Sequence, residues 1–468
     1  MLRLSFLIFL LLFLFTSFLK SDENSFFSGG DTTNVTNNKN SFSLVAKNLP
    51  EYLQVDFLVG DALFERIWED SRLTSNTAKD GLGPLFNSQS CEGCHINDGR
   101  GHLPEDLYKD MDSISIVVHL GKNKNNSNKG YKNIPDEVYG SQISDFSVEN
   151  ILKEADINFE YDYSVEVFDN GMVYKLRKPK ISLSNLNYGD ISEETEFSAR
   201  VAQPLIGLGL IESISVEDIL NNEDEFDLDN DGISGKANKV WDDVNQKESL
   251  GRFGWKASQP SIYQQVADAL FNDMSLSNPL YKDSSNCSEF QTICINVPDG
   301  NSKEYDDLEV SNQQLDLITF YSQQLGVPSR RNIEDENVIL GKEIFFQLSC
   351  NSCHTEKFKT GSHGDHNNLK QQIIYPYSDF LLHDMGRGLA DDLPEYLANG
   401  SEWRTPPLWG LGLTEIVSGR KTYLHDGRAR NLVEAILWHG GEANSSKEKF
   451  LRLNKTQLNQ LVIFLNSL

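Results

Sequence analysis

One short pattern occurs twice in the chain: SCEGCH at Ser90–His95 and SCNSCH at Ser349–His354. C-x-x-C-H sets two thiols three residues apart with an imidazole directly behind them. That spacing lets each thiol add to one vinyl group of a haem while the histidine sits beneath the iron. A four-cysteine zinc site fits poorly, because the two pairs are far apart and each is followed by histidine. A thioredoxin-like redox pair expects a βαβ setting that neither copy has. The expected cofactors are two covalently bound haem c groups. Cys91, Cys94 and His95 would hold the first, and Cys350, Cys353 and His354 the second.

The surroundings of the two motifs also repeat, in the same order. GDALF (Gly60–Phe64) and GKEIF (Gly341–Phe345) precede them. PLIGLGLIE (Pro204–Glu212) and PLWGLGLTE (Pro407–Glu415) differ only at their third and eighth positions. VEDIL (Val216–Leu220) parallels VEAIL (Val433–Leu437), and amphipathic helices at Val310–Leu325 and Leu453–Leu468 close each run. The chain therefore divides into a first half at 51–328 and a second at 331–468. The expected fold is mainly α: two cytochrome c-like haem domains, the first carrying a partly β insertion. Strand character lies in SISIVVHL (113–120) and YDYSVEVF (161–168), where Asp169-Asn170-Gly171 predicts a hairpin turn into MVYKLRKPKISL. A polar loop (121–130) separates the two stretches.

The sixth position at each iron decides between electron transfer and ligand chemistry. In the VEDIL/VEAIL frame His439 falls opposite Asn222. Histidine ligates haem iron and asparagine does not, so the second haem is expected to be six-coordinate and the first open. Met385 is the rival ligand for the second haem. His102 follows His95 too closely to round the haem edge, and His119 lies in an apparent strand where packing alone would account for it.

The remaining features set the context. Residues 1–21 have a basic Arg3 followed by an apolar run, which suits a signal peptide or an uncleaved N-terminal anchor. Residues 22–50 are rich in Asn, Ser, Thr and Gly and read as a flexible linker. The expected location is the periplasm, exported and either free or membrane-anchored. A formal net charge of −27 argues against nucleic acid or an anionic membrane surface as partner and leaves room for a basic redox protein. In an exported chain, Cys287 and Cys294 suit a disulfide closing a short loop, with a free pair or a metal site as the alternative. DLDNDGISGKAN (Asp227–Asn238) opens like a calcium loop, with Asp227, Asp229, Asp231 and the Ile233 carbonyl as oxygen donors. Its last position is Asn238 rather than glutamate, so an ion-free turn is equally compatible.

GPLFNSQSCEGCHINDGRG (83–101), DGISGKANKV (231–240), GRFGWKASQP (251–260), LLHDMGRGLAD (381–391) and RTPPLWGLGL…LHDGRARNLVEAILWHGGEA (404–443) resemble the di-haem oxidoreductase family, whose members are labelled peroxidases or thiol oxidoreductases. More distantly, the second half is similar to bacterial di-haem cytochrome c peroxidases through a TPxLRN…HDG…LEEAV pattern spanning Thr405 to Ile436. The resemblance implies an axial ligand just after that pattern, which again points to His439. It also implies a calcium ion between the haems, held partly by backbone oxygens near Thr405 and Pro407. Peroxide would be reduced at the first haem, and the second would receive electrons from a small redox protein or a membrane electron-transfer chain. Glu212 is the best sequence candidate for a catalytic acid–base group, although Glu415 occupies the matching position in the other half. The alternatives to a peroxidase are a non-catalytic electron-transfer cytochrome and an oxidase acting on an organic or protein substrate.

Overall fold

The computed structural model describes residues 23–74, 76–103, 115–123, 132–283, 285–362 and 364–468. The expected signal or anchor segment (1–21), most of the polar loop at 121–130, and His363 lie outside them. Among the described residues no helix is long and apolar enough to cross a membrane.

Each half is built on one crossed helix pair. Gln54–Phe64 packs on Asn312–Gln324, and Glu336–Gln347 packs on Lys455–Ser467. The second helix of each pair opens with a capping box, Ser311 with Gln314 and Asn454 with Gln457, which pairs otherwise orphaned backbone N–H groups. The crossings need glycine. A Cβ on Gly60 would strike the Leu317 carbonyl, and one on Gly341 would strike the Gln460 carbonyl. The PLxGLGL segments sit against the same helices in both halves. Each turns on a left-handed glycine, Gly207 (φ 71°) and Gly410 (φ 72°). These parts of the duplication are structural as well as sequential.

The expectation of a mainly α chain is not met: among the described residues 30% are helical and 19% are strand, in mixed small sheets. Much of the strand is in the first half's insertions. Ile116–Lys122 pairs with Gln142–Ile143 on one side and Thr195–Val201 on the other. Asp156–Val167 and Val173–Ser184 form a long two-stranded ribbon turning at Asn170-Gly171. Its tip leaves its own half. Phe168 packs on Phe450 with ring centroids 5.3 Å apart, the Asn170 amide donates to the Leu453 carbonyl (2.9 Å), and Lys447 pairs with Glu166 (2.8 Å).

The lead also behaves differently from the flexible linker its composition suggests. Ser25, Thr32, Thr33, Phe42, Ala46 and Leu49 are buried. Asn34 N–H donates to the Val327 carbonyl (3.0 Å), and the Arg330 guanidinium donates to Ser25 Oγ (2.9 Å). The segment is fastened to the junction between the halves.

A buried ionic cluster joins the halves from within. Arg200 and Lys256 come from the first half, Asp391 and Glu395 from the second. Arg200 reaches Asp391 at 3.1 Å and also binds Glu395, while Lys256 Nζ lies 2.9 Å from Asp391. Cys287 and Cys294 are joined by a disulfide.

Candidate haem-binding cavities

Ser90 caps the short helix Cys91–Cys94 by accepting the Gly93 N–H, and Cys350–Ser352 forms the corresponding 3-10 turn. This tight winding turns both thiols and the following imidazole of each motif into one cavity. His95 Nδ1 donates to the Gln203 carbonyl (2.7 Å), and His354 Nδ1 donates to the Tyr377 carbonyl (2.9 Å). Each ring is thus fixed in the tautomer that leaves Nε2 free as a metal ligand. Burial holds both imidazoles neutral, His354 down to about 4. Burial also pushes Cys91, Cys94 and Cys350 up to about 12, the opposite of an activated redox thiolate.

The two cavities have different far walls. His439 lines the second cavity together with His354, and its Nδ1 donates to the Ala435 carbonyl (2.8 Å). It is oriented as the proximal histidines are. Met385 lines the same cavity from another wall. Phe345, Leu348, Leu432, Ile436, Leu461 and Leu465 complete an apolar lining. Arg100 adds a buried guanidinium whose Nε has no protein partner. Apolar walls, two oriented imidazoles, paired thiols and an unmatched cation suit a flat apolar macrocycle with an anionic edge. Cys353, Asp379 and His383 also stand close enough to share a metal ion. His383 is already held between Asp379 (2.8 Å) and Glu442 (2.7 Å), however, and Asp379 raises its pKa against the effect of burial.

The first-cavity counterpart of His439 is not Asn222. Asn222 is exposed, donates its amide to the Asp218 carbonyl (3.2 Å) and lines neither cavity. The helix Val216–Leu220 belongs to an insertion that separates PLIGLGLIE from the next shared feature. That feature is a turn and a helix. Phe253 bridges Gln259 as Tyr423 bridges Ala429. Within the turns, Gly254 (φ 79°) matches Leu424 (φ 71°) and Ala257 (φ 49°) matches Gly427 (φ 70°). Ser261 then caps the helix Ile262–Met274 as Asn431 caps Leu432–Leu437, each accepting the N–H three residues on. In this frame Leu432, Ala435, Ile436 and His439 of the second cavity correspond to Ile262, Gln265, Val266 and Ala269, and all four line the first cavity. A methyl group stands where the other half has an imidazole.

Other sequence candidates are placed as follows. Glu212 accepts the Ile262 N–H (2.8 Å) and the Gln323 amide (2.7 Å) and lines neither cavity. Burial raises its pKa, but both its oxygens are occupied in holding the helix Ile262–Met274, so it is a structural group. Its counterpart Glu415 pairs with Lys421 (2.6 Å). In the acidic loop, Asp227, Asp229 and Asp231 accept the backbone N–H groups of Gly232, Asp231 and Ile233. The carboxylates that gather within 4.8 Å are Asp224, Asp227 and Asp229, without Asp231. Ile233 lines the second cavity instead. The Thr405 carbonyl accepts the Ser378 hydroxyl (2.7 Å), and Pro407 lines the second cavity.

Sequence reasoning missed Ala269, Gln265 and Trp255. Trp255 lines both cavities and donates Nε1–H to the Val201 carbonyl (2.8 Å). Arg404 also borders both.

The family model described as "Di-haem oxidoreductase, putative peroxidase" matches residues 23–468. No curated protein matches the chain. A solved structure of hydrazine synthase from Kuenenia stuttgartiensis, pressurised with xenon, is similar over 41% of this chain and 65% of that chain, at 18% identity and a TM-score of 0.23. The family match spans both cavities and the seam between them, and the chain belongs to the di-haem oxidoreductase family, with two haem groups.

Proposed function

We propose that the chain is an exported di-haem c oxidoreductase that reduces hydrogen peroxide at the first cavity with electrons received at the second. One observation carries this reading: Ala269 occupies in the first cavity the position that His439 occupies in the second. The haems supply the redox chemistry and the iron at which a small ligand is met. The protein supplies everything that makes the two sites differ.

The paired thiols, Cys91 with Cys94 and Cys350 with Cys353, fasten one haem in each cavity by thioether bonds. The Gln203 and Tyr377 carbonyls orient the proximal imidazoles and raise their basicity. His439 closes the second cavity from the far side and suits it to electron entry. Ala269 leaves room for peroxide in the first. Trp255 and Phe253, common to both walls, are aromatic groups through which the two cavities touch. The net charge of −27 favours a basic small redox protein, or a membrane chain with a basic face, as donor.

The direct test is peroxide consumption by the pre-reduced holoprotein, followed with a small cytochrome as electron source. Stoichiometric oxidation of two electrons per peroxide supports the reading. A protein that exchanges electrons with the cytochrome and leaves peroxide untouched is a carrier, and the proposal fails. The assignment of His439 has its own check. His439→Ala should turn the second haem from low to high spin, while Met385→Ala should leave it low spin. The reverse pattern would give the ligand role to Met385.

A further inference from the structure

We infer that His119 is the acid–base group of the first cavity, the residue that takes a proton from a protic ligand as it meets the iron. The inference deepens the proposed function and rests on the first haem being open.

Geometry brings His119 there. In Ile116–Lys122 successive side chains alternate between faces. Ile116, Val118 and Leu120 are buried in the core, while Ser115, Val117 and His119 line the cavity. The partner strand places His119 opposite Ser198. The second half repeats this pair of strands as Leu382–Asp384 and Glu402–Arg404. Extending the PLxGLGL frame sets Arg404 on Val201 and Leu382 on Ile116, so Met385 corresponds to His119. Val117 and His119 face one cavity, and His383 and Met385 face the other. Each cavity therefore has a helix wall and a strand wall, with opposite contents. At the matched positions the second has the His439 imidazole on the helix wall and the Met385 thioether, beside His383, on the strand wall. The first has a methyl group on the helix wall and an imidazole on the strand wall.

The setting of His119 separates a base from an iron ligand. His95, His354 and His439 each donate Nδ1–H to a carbonyl, the arrangement that aims Nε2 at a metal. Among the described residues no hydrogen bond holds the His119 ring. Its surroundings also keep it unprotonated. Burial acts first, and Arg200 and Lys132 act with it, against the opposing Glu395, to hold its pKa well below the usual histidine value. Glu395 is itself engaged by Arg200 and by Lys132 (3.6 Å). Asp268 and Asp273, on the helix wall, face the same cavity, and burial raises the pKa of both. A neutral, unbonded imidazole facing a small open space has its ring nitrogens available to a protic ligand.

With hydrogen peroxide the ring takes the proton of the oxygen that meets the iron. It returns that proton to the other oxygen as the O–O bond breaks. Two electrons from the haems and two protons from solvent complete two waters.

The test compares a protic with an aprotic ligand on the holoprotein. Hydrogen cyanide must lose a proton to bind oxidised iron as the anion, whereas carbon monoxide binds reduced iron with no proton to lose. In His119→Ala, cyanide association should slow by roughly 100-fold or more, with carbon monoxide association unchanged and the resting first haem still high spin. The wild-type cyanide rate should stay flat between about pH 6 and 8, because the imidazole is already neutral there. The variant's rate should climb with pH as ionised cyanide takes over. If the alanine variant also loses carbon monoxide binding, the same comparison in His119→Gln decides. Cyanide binding as fast as wild type would overturn the inference. So would a low- to high-spin change of the first haem on substitution, which would make His119 a ligand. A wild-type protein that binds neither ligand would remove the open first haem, and this inference with it.

Discussion

Replacing Ala269 with histidine should convert the first haem to a six-coordinate, low-spin centre and abolish peroxide turnover, while the second haem keeps its spectrum. The expectation follows from the matched helices. Ala269 and His439 occupy equivalent positions after equivalent turns, and each lines its own cavity. The Gln265 carbonyl lies one helical turn before Ala269, as the Ala435 carbonyl lies before His439. Asn222→His is the informative control. Asn222 is exposed and lines neither cavity, so that variant should keep the wild-type spectrum and rate. A spectral change in Asn222→His with none in Ala269→His would restore the sequence alignment and refute the structural one.

The second large effect concerns the seam. Arg200→Met should lower the unfolding free energy by about 3–5 kcal/mol, because it leaves Asp391 and Glu395 buried without their bridging cation. The loss should depend on pH in a definite direction. Burial alone would raise the pKa of Glu395, but Arg200 and its neighbouring cations hold it below the usual carboxylate value. Asp391 is held low in the same way by Lys256 and Arg200. A carboxyl whose folded pKa is depressed contributes stability above its unfolded pKa and loses it as pH falls through the folded value. Without Arg200 that contribution disappears, so the variant should be most destabilised near neutrality and closer to wild type in acid. Unfolding curves for both proteins at about pH 7 and about pH 4 would measure the difference. Equal losses at the two pH values would mean that the guanidinium acts mainly by packing against Trp403, which it overlies at 5.3 Å.

What could be read from the residues alone was whatever depends on side-chain identity at fixed spacing. The thiol–thiol–imidazole triplets, the PLxGLGL segments and the Asp169-Asn170-Gly171 turn are of this kind, and each has its counterpart in the structure. The first-cavity wall is not. The turns before Ser261 and Asn431 share left-handed backbone at matching positions, but Gly254 answers to Leu424 and Ala257 to Gly427. Backbone conformation carries the equivalence there, while the side chains have diverged. VEDIL offered a closer match in letters and lies in an insertion.

Two other misreadings share a cause. The lead at 22–50 looks disordered by composition, yet Thr32 Oγ1 and Ser41 Oγ satisfy nearby carbonyls while Phe42 and Leu49 enter the core. A few anchoring side chains outweigh the average. Glu212 is the best candidate for an acid–base group that the sequence offers, although Glu415 repeats it in the other half. The two Glu212 oxygens are instead bound to the Ile262 N–H and the Gln323 amide. The fold class was misjudged because helical pattern is strong around each CxxCH motif, while the inserted ribbon and short sheets lie between those regions.

The difference between the two irons is the central claim, and it is open to one measurement on the unmodified protein. The low-temperature electron paramagnetic resonance spectrum of the fully oxidised holoprotein should contain one high-spin signal, from the haem above His95, and one low-spin signal typical of two imidazoles, from the haem between His354 and His439. Two low-spin signals would contradict it, because the first cavity would then hold a ligand where Ala269 leaves space.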